Sequence, residues 1–365
     1  MPLTDLFQEA ERQLVVCNAC RYCEGYCAVF PAMELRQAFK DGDITYLANL
    51  CHDCRACYYA CMYSPPHEFG VNIPKVLSEV RQASYRRYGW PPAFARLVQS
   101  VPATVLVIAA AVIVVLGAAV LLAGPGRLLG VHLGPGAFYQ VVAYWAILVP
   151  GIAALCYWLG VWTAGGVWFW REIRGGAPER LTVAAVGGAV WDALTLRWLR
   201  GGGPGCPYPG ERASRGRGVL HAFVFYGFLA AIASTTLAAI YQDVFDLMPP
   251  YPLTSAPVVF GTLGGVAIIV GAGGMLLVKV RSDRAPAAGA ALGMDYVFVI
   301  TLGLASLTGM LTLALRATPV MGLILMIHLG IVAALFVTAP YGKFVHLVYR
   351  FLALVRYRLE RESEP

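Results

Sequence analysis

Charged and apolar positions are interleaved over roughly the first 90 residues, and from about residue 101 the chain changes to long runs almost free of charge. Six such runs stand out: Val101–Ala123, Val141–Val161, Val219–Tyr241, Val258–Val280, Tyr296–Leu315 and Val320–Pro340. Each is long enough as a helix to cross about 30 Å of hydrocarbon, so the pattern predicts six transmembrane helices. The interleaved part predicts short amphipathic helices at Leu6–Val16, at Met33–Leu50 with a break near Asp41-Gly42-Asp43, and at Asn72–Arg87, where Pro74 stands near the start and Gly89 past the end. Trp90-Pro91-Pro92 reads as a stiff linker at a membrane surface, where indole rings gather. Thr182–Arg200 sets Asp192, Arg197 and Arg200 beside Trp191 and Trp198; it reads as an interfacial helix, with a re-entrant hairpin as the alternative. Gly201-Gly202-Gly203-Pro204-Gly205 ends it, and without a following Gly-Lys-Ser/Thr this run is not read as a phosphate loop.

Composition agrees with the pattern. At 58% hydrophobic and 13% charged residues, with mean hydropathy +0.63, an ordinary soluble enzyme is excluded. The expected organisation is mainly α: residues 1–92 as a two-cluster ferredoxin-like head, 93–350 as a six-span membrane domain, and 351–365 as a cytoplasmic tail. An even number of spans puts both termini on one side. Arg171, Arg174, Arg180, Arg197, Arg200, Arg212, Arg215 and Arg217 between the second and third spans, Lys279, Arg281 and Arg284 after the fourth, and Lys343, Arg350, Arg356, Arg358 and Arg361 after the sixth assign that side to the cytoplasm. The opposite loops offer little beyond Arg127 and Arg316. Residues 1–20 carry no cationic start followed by an apolar run, so the head is expected in the cytosol, where thiols stay reduced. The net charge of +7 is spent in these loops, and no basic patch with interleaved aromatics points to nucleic acid. The pattern leaves homo-oligomerisation open.

The chemistry of the head lies in a cysteine ladder that occurs twice: Cys17, Cys20, Cys23, Cys27 and Cys51, Cys54, Cys57, Cys61. Both copies read C-x2-C-x2-C-x3-C. In two-cluster ferredoxins three thiolates of one ladder and the fourth of the other hold each cube. The expectation is therefore one 4Fe-4S cluster on Cys17, Cys20, Cys23 and Cys61, and a second on Cys51, Cys54, Cys57 and Cys27. Structural zinc favours paired C-x2-C knuckles, and a disulfide framework does not repeat a triple ladder. The proline usual after the fourth cysteine comes later here, at Pro31 and Pro65, so longer closing turns are expected. Cys156 reads as a small buried apolar residue, and Cys206 as a lone thiol without ligand spacing.

Histidines supply the second candidate centre. An imidazole in hydrocarbon is costly and usually has a task. His221 begins the third span and His346 follows the sixth on the same side, at matching depth, as the two axial ligands of a haem b just beneath the head. The structural alternative is a pair of interfacial histidines bonded to backbone or headgroups. Eighteen residues separate His328 from His346, so on one straight helix they share a face about 27 Å apart, with Pro340 as a kink. His328 has three open readings: a second haem with His132, a quinone contact, or a polar contact between helices. His52 and His67, beside cluster ligands, read as tuning or local hydrogen-bonding groups. Asp243 and Asp246 read as solvated loop carboxylates.

The segment from Cys17 to Pro31, Pro65-Pro66-His67-Glu68-Phe69, Cys206-Pro207-Tyr208-Pro209-Gly210-Glu211-Arg212 and Pro340-Tyr341-Gly342-Lys343-Phe344-Val345-His346 closely resemble the tricarballylate (citrate) utilisation protein B family. The resemblance implies a multi-pass protein of the bacterial inner membrane that reoxidises the FAD of a partner tricarballylate dehydrogenase-like flavoprotein and passes electrons to the quinone pool. The last five spans also look like the gamma subunit of respiratory nitrate reductase, a dihaem b quinol oxidase. There His221, His328 and His346 match three of four haem ligands and Ala231 occupies the fourth position, so the proximal haem is implied and the distal one is not. No nucleophile or acid–base pair is legible, so the substrate chemistry is expected in the partner. Reverse flow from quinol to a soluble reductase, and an iron-sulfur redox sensor, are the rival readings; six spans without an internal repeat argue against a transporter.

Overall fold

The computed structural model describes residues 3–175 and 180–363. The head consists of α1 (Leu3–Cys20), α2 (Val29–Glu34), α3 (Asp41–Leu50), the single turn α4 (Ala56–Tyr59) and α5 (Ile73–Tyr88). Leu6, Ala10 and Leu14 recur every fourth residue and bury one face of α1, which therefore runs on through the first two cysteines of the ladder. The second expected helix is two, with Phe39 and Lys40 in the gap and the Lys40 N–H donating to the Asp43 carboxylate at 3.2 Å to start α3. Asn72 caps α5 by accepting from the Lys75 N–H at 3.3 Å. Leu14, Leu47, Leu50, Leu77 and Val80 close the core between α1, α3 and α5.

After the linker helix α6 (Pro92–Val98) come α7 (Val101–Ala123), the turn α8 (Pro125–Leu128), α9 (Tyr144–Arg174), α10 (Val183–Leu194), α11 (Gly216–Asp243), α12 (Ala256–Arg281), α13 (Gly289–Ala314), α14 (Met321–Thr338) and α15 (His346–Glu362). Among the described residues six helices are long and apolar enough to cross a membrane: α7, α9, α11, α12, α13 and α14. Small residues let α11 and α12 approach closely, since a Cβ on Gly227 would stand 2.9 Å from the Gly264 carbonyl oxygen. A short ribbon, β1 (Cys206–Pro207) against β2 (Ala213–Ser214), runs antiparallel in the loop before α11.

Three expectations change. First, α9 continues to Arg174 and carries Phe169 and Ile173 into the core of the head, so head and bundle share one helix. Second, α14 is not kinked at Pro340 but stops at Thr338; Pro340 has no N–H to offer, residues 339–345 turn the chain, and His346 opens a new helix. His328 and His346 thus share no helix face. Third, the tail is not free. Tyr349, Ala353, Leu354, Val355, Tyr357 and Leu359 of α15 belong to the head core, and the buried Glu360 pairs with Arg36 at 2.6 Å and Arg356 at 2.9 Å while accepting from Tyr46 at 3.0 Å. The expected boundary after residue 350 cuts through this helix. The segment expected as an interfacial helix forms α10, which buries Ala185 and Ala189 against the head, holds Arg358 of α15 through Asp192 at 2.9 Å, and leaves Val183 and Trp191 exposed.

Candidate metal and redox centres

Folding of the head brings the two ladders together and crosses them. Cys17, Cys20 and Cys23 line one cavity with Cys61 of the other ladder, and Cys57 reaches its wall. Cys27 lies instead within electrostatic reach of Cys51, Cys54 and Cys57. All ten cysteines are free thiols. Among the described residues no three His, Cys, Asp or Glu side chains converge on one point as ligands of a single ion do. The thiols ring a volume instead, as ligands that each take a separate iron must.

Backbone donors point at the sulfurs. The Asp53 N–H reaches Cys51 Sγ at 3.4 Å, those of Val29 and Phe30 face Cys27, and those of Tyr63 and Ser64 face Cys61. The late prolines are accommodated: Pro31 sits in the first turn of α2, which starts two residues after Cys27. Burial, then the charges of Cys61, Cys23 and Cys20, pushes the Cys17 thiol up to about 12, and burial chiefly pushes Cys23 up to about 11. Such a group ionises together only around a compensating cationic core. The donor set therefore fits iron–sulfur clusters.

The second ladder is braced from the membrane side. Asp53 and Arg55 flank Cys54 at φ of +53° and +67°, a region costly for side-chain-bearing residues unless the surroundings impose it. Here they do. Arg217 donates to the Asp53 carbonyl at 2.5 Å and the His52 carbonyl at 3.1 Å, Arg55 donates to the Asp283 carbonyl at 2.9 Å, and Tyr208 lies between the two guanidiniums at 4.1 Å and 4.6 Å. Cys51 offers its carbonyl to Arg81 at 2.5 Å and to Arg350 at 2.7 Å. Cys206 corrects the reading of a lone thiol: it is buried beside Cys54 as a fifth sulfur at this ladder. Spacing could not have found it, because it comes from a loop some 150 residues downstream.

Beneath this ladder the structure brings His221 and His346 together, with ring centroids 6.5 Å apart and planes at 79°. His346 Nδ1 donates to the Lys343 carbonyl at 2.6 Å, which leaves Nε2 as a lone-pair donor; burial, aided by Arg350 and Lys343, holds the ring neutral. His221 Nδ1 is buried with no partner. The separation is of the size one metal between two imidazole nitrogens needs, with bonds of roughly 2 Å, and Phe344, two residues before His346, packs against Phe228 and Phe298. These residues fit a haem. Arg350, one turn after His346, ties the imidazole pair to the second ladder.

The other histidines are employed elsewhere. Both ring nitrogens of His132 are taken within the far loop, by Gln140 at 2.8 Å and the Arg127 carbonyl at 2.7 Å. His328 Nδ1 bonds the Ala305 carbonyl at 3.0 Å and stands 3.2 Å from Thr308, a polar contact between helices. Of the two histidines considered for a second haem, His132 thus has both ring nitrogens engaged, whereas His328 is engaged through Nδ1 alone. His67 bonds the Phe69 N–H at 3.1 Å, as a local hydrogen-bonding group does, and His52 is buried next to Cys51. Cys156 is exposed on α9 rather than buried.

Comparison with known proteins bears on these centres. Residues 98–365 match the family model described as Citrate utilization protein B, and residues 10–87 match that of the Citrate utilization protein B Fer4-like domain. The chain is 42% identical over 360 residues to the Citrate utilization protein B of Escherichia coli, with 98% of this chain and 94% of that one covered. No solved structure matches the chain.

Proposed function

Because this chain belongs to the citrate utilization protein B family, we propose that it is a membrane electron carrier that takes electrons from a soluble tricarballylate dehydrogenase-like flavoprotein and delivers them to membrane quinone. Its head is an iron–sulfur type domain and the remainder a bundle of membrane-like helices. Cys17, Cys20, Cys23 and Cys61 would hold one 4Fe-4S cluster, Cys51, Cys54, Cys57 and Cys27 the other, and His221 with His346 a haem b. When bound, these groups supply one-electron chemistry. Asp53, Val29, Phe30, Tyr63 and Ser64 orient the thiolates, Arg217 and Tyr208 hold the second ladder against the bundle, and Lys343 sets the His346 tautomer. Substrate oxidation belongs to the flavoprotein, since the sequence offers no legible pairing of base and nucleophile. Arg171, Arg174, Lys279, Arg281 and Arg284 at the head-side ends of α9 and α12 support an orientation with head and termini in the cytoplasm of a bacterial inner membrane.

The observation that carries this reading is the imidazole pair of His221 and His346, with His221 Nδ1 unpartnered and Arg350, one turn after His346, bonded to the second ladder. The purified full chain should contain about eight cluster irons, four per cube, and one haem by the pyridine haemochrome assay. His221→Ala and His346→Ala should each abolish the Soret band and leave the cluster iron in place. A haem retained in both variants, or zinc where iron is expected, would overturn the reading.

A further inference from the structure

The head meets the bundle at a cleft that neither ladder uses. Arg81 and Tyr85 of α5, Ala291, Met294 and Asp295 of α13, and Lys343 in the turn after α14 form its main walls. Its depth is the first clue. Ala291 begins the apolar stretch of α13, and Gly293 is packed so closely on α7 that a Cβ there would lie 2.8 Å from Val101 Cγ2. The mouth therefore opens where polar surface gives way to hydrocarbon.

Its floor is the second clue, because the walls reach both candidate centres. Arg81 donates to the Cys51 carbonyl at 2.5 Å, and the carbonyl of Lys343 takes the His346 Nδ1 hydrogen bond at 2.6 Å. Polar equipment is the third. The Asp295 carboxylate lies between Lys279 at 2.5 Å and Lys343 at 2.8 Å, a compact cationic cluster at the start of a membrane-like helix. Tyr85, 7% exposed, presents a buried hydroxyl with no hydrogen-bond partner. Buried hydroxyls rarely go unpaired, and such a donor marks a place where an acceptor is missing. Other polar walls are already engaged: Gln99 bonds Arg86 at 2.8 Å and the Tyr341 carbonyl at 3.1 Å.

A ligand matching these features has carbonyl acceptors, an apolar ring and a long apolar tail. We propose that this cleft is the quinone site, with Tyr85 and Lys343 donating to the ring carbonyls and the tail leaving past Ala291 toward the hydrocarbon. The proposal rests on quinone being the electron acceptor, as in the function proposed above. Counted to its mouth the cleft measures about 340 Å³. The unbranched side chain of Met294 swings aside as the ring enters. Reduction of the quinone to quinol takes two electrons, supplied one at a time by the chain's redox centres, and two protons, drawn from water on the head side along the Asp295 and Lys343 cluster.

The test uses the full chain in lipid nanodiscs, reduced with dithionite and mixed with decylubiquinone, with reoxidation of the centres followed by absorbance. Wild-type protein should be reoxidised. Ala291→Phe, which fills the cleft, should slow reoxidation at least tenfold with iron and haem contents unchanged. Tyr85→Phe, an isosteric change, should raise the quinone concentration for half-maximal rate about fivefold, the effect of one hydrogen bond, and leave the rate at saturation unchanged. Wild-type rates in both variants place the quinone elsewhere and overturn the proposal. Haem loss in Tyr85→Phe assigns the cleft to the haem edge, also against it. A wild-type chain that quinone does not reoxidise defeats the carrier function itself, a different result from either.

Discussion

Around the first cysteine ladder stand Tyr22, Phe30, Met62, Tyr63, Val71 and Ile73, with Tyr22 and Met62 61% and 60% exposed. Around the second stand Arg55, Arg81, Arg217 and Arg350, and the ladder is pressed against the membrane bundle through Tyr208, Cys206 and Asp283. Arg21, the left-handed residue of the first ladder, bonds within its own ladder, to the Asn18 carbonyl at 3.0 Å and the Cys17 carbonyl at 2.8 Å, whereas Asp53 and Arg55 are held from loops far away in the chain. One spacing thus sits in two environments. An iron–sulfur core becomes more negative on reduction, so nearby guanidiniums and hydrogen bonds favour the reduced form. The comparison teaches that one ladder is open and apolar, while the other is cationic, buried and faces the membrane bundle.

The strongest way to disturb this contrast is to loosen the second ladder's support. Glu360→Ala leaves Arg356 buried without its carboxylate and Arg36 with Asp43 alone, and it takes away the partner of Tyr46 on α3, the helix that ends just before Cys51. A loss of about 3–5 kcal/mol is expected, read as a lower melting temperature with the signal of the second cluster broadened before that of the first. Next in size is the charge itself. Arg350→Met should lower the midpoint potential of the second cluster by roughly 60 mV or more, a tenfold change in a one-electron equilibrium, and leave the first unmoved in an EPR-monitored titration. Equal shifts in both clusters would dissolve the asymmetry.

Cys206→Ala sharpens the comparison on a finer scale. Removing this buried thiol beside Cys54 should shift the second cluster alone and by less than Arg350→Met, with Cys206→Ser recovering part of the shift. The smallest effect belongs to the exposed side. Tyr22→Ala should change neither potential and should reduce the flavoprotein-driven rate only a few-fold, through weaker docking, because a solvated aromatic contributes contact and little else.

Much of the site is legible in the order of residues alone. The ladder spacing singles out eight candidate thiols and their crossover, since three thiolates in a tight turn can reach only one cube, and the pairing of His221 with His346 follows from depth and topology. The residues that distinguish the two ladders are not legible there. Tyr208, Cys206 and Asp283 lie in loops, and Arg217 at the start of α11, whose approach to Cys51–Cys57 has no local signature, and Arg350 reads in the sequence as one more cytoplasmic charge after the sixth span.

By itself the amino-acid sequence determined everything governed by short-range rules: six apolar runs of membrane length, amphipathic periods in the head, a doubled thiol spacing, and imidazoles too costly to place in hydrocarbon without a task. Only tertiary structure decided that α9 enters the head, that Pro340 ends a helix rather than bending it, and that the last helix completes the head's core instead of hanging free. The physical reason is that hydropathy and spacing act over a turn or two of chain. Burying Glu360 between two arginines, or closing four guanidiniums around one cysteine loop, depends on surfaces that meet only when segments hundreds of residues apart pack together.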